Sequence, residues 1–320
     1  MTVASCSKNS SSPTQPRIPA GAQIHGTVID FSDGAPVQNA VLLVDTLSNI
    51  YHADSNGKFD LYGLSPGAHT LHVASVENDS ISFSLTLTSS SDTAISINLP
   101  PLVHSDLILY LPFSSSLRDG SGMGWTATQT GGSWTDDRFN RPNHAMFFAG
   151  NNDAVLVSST SDSEFASNQS FTAIAWVNTS TQQDSTGIVG VIRPDGVGFQ
   201  LLIANNKLQF LLTTLQGGNL LRSGTLGLAN LVDGNWHFIA LVANRDNGFS
   251  YSIVLDSTLL NSASNPSPVD ISGNGVGLTI GSNPSNGAGF IGTIDDVRLY
   301  NRSLSTAELL RLYHERGWKQ

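Results

Sequence analysis

Residues Gly292–Glu315 read GTIDDVRLYNRSLSTAELLRLYHE, an extended segment with two adjacent aspartates, Asp295 and Asp296, that runs directly into a helix. Ser305 followed three residues later by Glu308 is a capping box, in which each side chain satisfies a backbone N–H at the helix start. Leu309, Leu310, Leu312 and Tyr313 recur at helical spacing on one face, so this short helix needs a larger body to dock on. Successive strand residues point to opposite faces. Asp295 and Asp296 therefore cannot act together unless a β-bulge rotates one of them.

The rest of the chain says what that body is. Gly, Ser, Asn and Thr abound, only 12% of the 320 residues are charged, and short apolar alternations are separated by turn signals throughout. This is an all-β composition with length for about two domains. Fifteen basic residues against twenty-five acidic ones give a net charge of -10, with no Lys/Arg cluster to track phosphates. Nucleic acid is excluded as a partner on that ground.

Cys6 is the one cysteine, so no intrachain disulfide forms and stability must come from core burial. Val3-Ala4-Ser5-Cys6 resembles the lipobox of bacterial lipoproteins, in which the cysteine is lipidated; the plainer reading is a lone thiol in a tail. The Ser/Pro-rich run that follows cannot build a core, so residues 1–21 read as a disordered tether. No apolar run approaches the roughly 20 residues of a membrane-spanning helix. Membrane attachment would be through the lipid alone, and the lipobox resemblance implies an extracytoplasmic, outer-membrane or cell-surface lipoprotein.

From Gln23 onward, QIHGTVID, NAVLLVD, GKFDLYGL, HTLHVAS, ISFSLTLT and TAISINL read as strands. Ile81, Phe83, Leu85 and Leu87, and then Ile95, Ile97 and Leu99, alternate cleanly, one face to a core and one to water. Asn56-Gly57 after Asp54 reads as a hairpin turn. About seven strands in roughly 80 residues describe a small immunoglobulin/transthyretin-like sandwich over 22–100. GTVID…GAPVQNAVLLV, DSNGKFDL and GLSPGAHTLHV resemble the carboxypeptidase regulatory-like domain, which implies an accessory or spacer role. His69 and His72, three apart on a strand, face opposite ways and do not suggest a metal site.

Leu99-Pro100-Pro101 is a linker, since consecutive prolines cannot continue a ladder. Beyond it stand, in order, Asp119-Gly-Ser-Gly, Asp137-Arg-Phe, Ala145 to Gly150, Phe171 to Val177, Trp236-His237 and Ile294 to Tyr300. These resemble the laminin-G-like, concanavalin A-like jelly roll of bacterial surface proteins over residues 104–317. The resemblance implies two large antiparallel sheets packed face to face, with the short helix at the end.

That superfamily includes glycoside hydrolases and non-catalytic lectins, so the carboxylates decide. A retaining glycosidase needs two about 5 to 5.5 Å apart. The Glu-x-Asp-x-x-Glu signature of the superfamily's hydrolases is missing, and Glu77, Glu164, Glu308 and Glu315 sit in the small domain, a polar loop, the helix cap and the helix end. A non-enzyme is expected. The resemblance further implies one structural Ca²⁺, with Asp295 as its carboxylate ligand, Asp296 beside it, carbonyls near Gly150 contributing, and Asp119 as a weaker candidate. Calcium takes six to eight oxygens, so one aspartate alone is insufficient. The plainer reading pairs the two aspartates with Arg298 or Arg302.

Trp176 and Trp236 lie among apolar neighbours and read as core, whereas Trp125 and Trp134 flank the polar loop TATQTGGSW, with Arg138, Arg141 and Asn143 close behind. Those five are the candidate ligand contacts, aromatic rings stacking on sugars and polar groups bonding hydroxyls; alternatively the tryptophans plug the sandwich edge. The expectation is a cell-surface binding module for carbohydrate, with an extracellular protein ligand as the alternative.

Overall fold

The computed structural model describes residues 21–45, 50–158, 170–192, 197–216, 219–225, 229–245, 249–265, 277–283 and 285–319. Cys6, nearly all of the expected tether, and Glu164 lie outside the described residues. The chain divides into two compact units. One is built on the stretches up to Ile29, Pro36–Ser75 and Ser80–Asn98, the other on Asp30–Ala35, Val76–Asp79 and everything from Leu99 onward.

The small unit contains β1 (Ala22–Asp30), β2 (Val41–Val44), β3 (Ile50–His52), β4 (Lys58–Leu64), β5 (Gly67–Ala74), β6 (Ile81–Leu87) and β7 (Asp92–Leu99). They form a three-stranded sheet, β4-β1-β7, and a four-stranded sheet, β3-β2-β5-β6. Ile24, Val28, Phe59 and Leu61 of the first and Leu42, Leu71, Val73 and Leu87 of the second are buried, each alternating with more exposed residues as the sequence period requires. The Asn56-Gly57 turn is tight: Asp54 accepts the N–H groups of Asn56 and Lys58, both at 2.8 Å. It does not close a paired hairpin, however. β3 and β4 belong to different sheets, and the turn carries the chain between them. Gly57 has φ +70, and a Cβ there would meet the Val28 carbonyl at 2.4 Å, so only glycine fits.

The larger unit contains β8 (Leu107–Leu111), β9 (Thr126–Thr130), β10 (Ser133–Thr135), β11 (Ala145–Ala149), β12 (Ala154–Ser158), β13 (Phe171–Asn178), β14 (Thr186–Ile192), β15 (Gly198–Ala204), β16 (Lys207–Gln216), β17 (Asn219–Thr225), β18 (Trp236–Asn244), β19 (Phe249–Leu255), β20 (Thr258–Asn265), β21 (Leu278–Ile280), β22 (Ile291–Tyr300) and α1 (Thr306–Tyr313). One sheet of eight strands runs β10-β11-β22-β13-β18-β19-β20, with β8 also paired to β22; the other, of seven, runs β17-β16-β15-β14-β21-β12-β9. Met146, Phe148, Ala175, Val177, Ile239 and Leu241 of the first share one apolar core with Val155, Val189, Phe199, Leu201, Phe210 and Ile280 of the second.

A second core lies on the outer face of the eight-stranded sheet, where Trp176, Phe238, Ala240 and Tyr300 pack with Leu309, Leu312 and Tyr313 of α1. Burying side chains of that size is worth about 1.5–3 kcal/mol each, which explains how a helix of two turns persists. Its start is closed by the capping box: Glu308 N–H donates to the Ser305 hydroxyl at 3.3 Å, and Ser305 N–H donates to the Glu308 carboxylate at 2.8 Å. No helix among the described residues is long and apolar enough to cross a membrane.

Candidate functional site

The two aspartates sit where β22 changes partners. Its Ile291–Ile294 stretch pairs with β11 and its Val297–Tyr300 stretch with β8, so Asp295 and Asp296 fall in the break between the two. Against β13 the register slips: Arg298 faces Ile174 and Asp295 faces Trp176, three residues on β22 against two on β13. That is a β-bulge, and Asp296 takes the left-handed conformation at φ +47. The two carboxylates therefore do converge. Arg138 Nη1 donates to Asp295 Oδ2 at 3.0 Å and to Asp296 Oδ2 at 2.6 Å.

Arg138 arrives on the loop after β10, shaped by its neighbour Asp137. That buried carboxylate accepts the N–H groups of Phe139 and Arg141, both at 2.8 Å, and the Arg141 Nε–H at 2.6 Å. The Arg138 guanidinium lies 4.3 Å over the Trp176 ring, whose stacked neighbour is Tyr313 of α1 at 5.8 Å. Tyr110 O–H donates to Asp296 Oδ1 at 2.5 Å, and Arg298 Nη2 donates to both oxygens of Glu315, at 2.9 and 2.8 Å. Asp295 and Asp296 are 1% and 5% exposed.

Burial disfavours every charge in this cluster, and whether the ion pairs outweigh it differs from group to group. Burial would raise the Asp296 carboxyl, but Arg138 and Arg298 outweigh it and hold that group below the usual range. Asp295 goes the other way: burial first, then the charge of Asp296, push it well above the ordinary value. Glu315 is also raised, by burial. Such a cluster locks bulge, loop and helix end together.

The cluster joins residues that sequence reasoning had placed in separate sites, with Arg138 among ligand contacts and Asp295 and Asp296 among metal ligands. Arg138 is wholly buried and offers nothing to a ligand in solution. Trp125 is likewise buried in the inter-sheet core, so its ring is no stacking platform. Trp134 packs on that core, its ring 6.3 Å from Phe113. Arg141 is paired with Asp137, and exposed Asn143 gives its carbonyl to Ser115 N–H at 2.7 Å.

The residues expected around calcium do not fit an ion either. Asp295 and Asp296 are bridged by Arg138. Asp119 spends both oxygens on the N–H groups of Tyr110, Ser121, Gly124 and Trp125 and on the Ser121 hydroxyl, which turns Trp125 inward. Gly150 carbonyl accepts from Asp153 N–H at 2.7 Å. Among the described residues, no three His, Cys, Asp or Glu side chains group as metal ligands.

Sequence reasoning missed the roles of Glu315 and His237. Glu315, read only as a residue of the helix end, is there the buried partner of Arg298. Trp236, expected in the core, packs against the outer-face core but is only half-buried, at the start of β18. Beside it His237 is clamped between Asp256 and Asp233, 3.1 Å from each. The Asp256 bond is the main cause raising the imidazole, against the effect of burial.

Residues 149–310 match the family model for the concanavalin A-like lectin/glucanases superfamily, half of the chain. The chain belongs to that superfamily. Residues 23–100 match the carboxypeptidase regulatory-like domain. No curated protein matches the sequence. Among solved structures, the concanavalin A-like chain is similar to the binding domain of Paraclostridial Mosquitocidal Protein 1 at 15% identity and TM-score 0.53, over 66% of this chain and 52% of that one. It is similar to the botulinum neurotoxin serotype D binding domain at 13% identity and TM-score 0.53, over 66% and 51%. A third likeness is the serotype D ligand binding domain in complex with N-acetylneuraminic acid, at 14% identity and TM-score 0.51, over 67% and 52%. The chain spans about half the length of these structures, and at such identities the likeness is one of fold.

Proposed function

We propose that the larger unit is a non-catalytic, lectin-like module that binds carbohydrate at a bacterial cell surface. In this reading the small unit is a spacer and Cys6 a lipid anchor. The observation that carries it is how paired carboxylates are used. Asp295 and Asp296 close on a buried arginine, and Asp233 and Asp256 close on His237, so neither pair can act as acid and base on a sugar. Similarity to toxin binding domains, one in complex with a sialic acid, agrees with ligand recognition rather than turnover.

The test is co-sedimentation of the full chain with insoluble polysaccharides, with release of reducing ends followed in the same tubes. Saturable retention with no release is expected; released ends above a protein-free control would return the chain to the hydrolases. The second reading, adhesion through a protein partner, gains support from failure to retain any polysaccharide.

A further inference from the structure

We propose that the outer face of the eight-stranded sheet binds an uncharged oligosaccharide along the row Ser133, Phe147, Thr293, Asn178 and Trp236. This rests on the carbohydrate-binding reading above and gives it a site. Strand register builds the row: Ser133 faces Phe147, Phe147 faces Thr293, Thr293 faces Asn178, and Asn178 faces Trp236, on five consecutive strands. Paired residues share a face, so the five side chains stand side by side.

The row's position leaves it open. The next row inward, Asp295, Trp176 and Phe238, is closed beneath Arg138 and Tyr313. Phe147, in contrast, is 38% exposed, Ser133 is exposed, and Thr293, Asn178 and Trp236 are half-buried. Phe147 and Trp236 lie three strand spacings apart, roughly 14 Å, a span suited to a short sugar chain. Aromatic rings at the two ends offer apolar surface to the C–H faces of pyranose rings, and the Thr293 hydroxyl and Asn178 amide between them can bond sugar hydroxyls.

The polar groups are held in place. Asn178 Nδ2 donates to the Gly234 carbonyl at 2.8 Å, which leaves Oδ1 as an acceptor. Gln183 brackets Ile291 by accepting its N–H and donating to its carbonyl, both at 3.0 Å, and so fixes the start of the strand that carries Thr293. Charge selects the ligand class. None of the five side chains is ionisable, and a chain of net charge -10 repels sialylated or sulfated sugars.

The test is a microarray of neutral, sialylated and sulfated oligosaccharides probed with the full chain and with Phe147→Ala, Trp236→Ala and Thr293→Val. Phe147→Ala and Thr293→Val alter partly exposed positions, and a thermal melt identifies any variant that has lost its fold. We expect neutral glycans to bind the wild type, about fivefold to tenfold weaker binding for each aromatic variant, and a smaller loss for Thr293→Val. Neutral binding unchanged in folded Phe147→Ala and Thr293→Val overturns this site and leaves the carbohydrate reading standing. Binding confined to anionic glycans overturns the ligand class, and binding to no glycan overturns the carbohydrate reading and this site together.

Discussion

Replacing Arg138 with methionine removes the one side chain that bridges both aspartates while keeping most of its length over Trp176 and Phe139. Two buried carboxylates then lose their nearest cation. Breaking a buried ion pair by removing one partner costs about 3–5 kcal/mol. One such loss is expected here rather than two, because Asp295 is already raised by burial and Asp296 keeps its bond from Tyr110. The assay is urea unfolding of wild type and Arg138→Met between pH 7 and pH 5.

The pH series separates electrostatics from packing. In the wild type Asp296 is held below its ordinary value, so its contribution is full above the unfolded carboxyl value and fades only as pH falls below it. In Arg138→Met that carboxyl rises, and the variant recovers stability on acidification as the buried group takes a proton, each tenfold gain in proton affinity being worth about 1.4 kcal/mol. The gap between the two proteins therefore narrows toward pH 5, and adding Asp296→Asn to Arg138→Met recovers part of the loss at pH 7. A cost below about 1 kcal/mol at pH 7, or a gap indifferent to pH, would refute the reasoning.

Ser305→Ala opens the cap of α1 and is expected to lower stability by about 1 kcal/mol in denaturant unfolding; because the Arg302 bond holds Glu308 down at about 2, the carboxylate's part of the cap persists above the ordinary glutamate value and disappears as pH falls toward 2. His237 is raised by its bond to Asp256, so its contribution is full below the ordinary histidine value and is lost as pH climbs through the raised one; His237→Gln is expected to destabilise at pH 6 and to approach wild type at pH 9 in thermal melts. Calcium and chelator are expected to leave the melting temperature unchanged, since Arg138 already bridges the carboxylates a calcium ion would need, and a clear rise with calcium would oppose the arginine-bridge account.

Much of the fold is legible along the chain because it is local. The alternation in Ile81–Leu87 and the Ser305–Glu308 box need only near neighbours, and both appear as read. The site was harder because its partners are far apart. Arg138 and Asp295 are separated by 157 positions, and no periodicity links them. One cue was present: two adjacent carboxylates in an apolar strand must either face water or find a cation, and a bulge lets a single cation serve both. Trp125 misled because its loop is polar, whereas Asp119 gathers the loop's N–H groups and turns the ring inward. Trp236 does pack on the outer-face core as its apolar neighbours suggest, but its place at the start of a strand leaves it half-buried, which the sequence pattern does not show. Asn56-Gly57 marks a turn, yet only the assembled sheets show that it joins two of them.

The central claim, a lectin-like module without turnover, meets its most direct test in calorimetric titration of the full chain with neutral oligosaccharides, followed by mass analysis of the sugar recovered from the cell. The account predicts saturable heat and an oligosaccharide returned intact. Shortened sugar in the recovered sample, or no heat with any oligosaccharide, would contradict it.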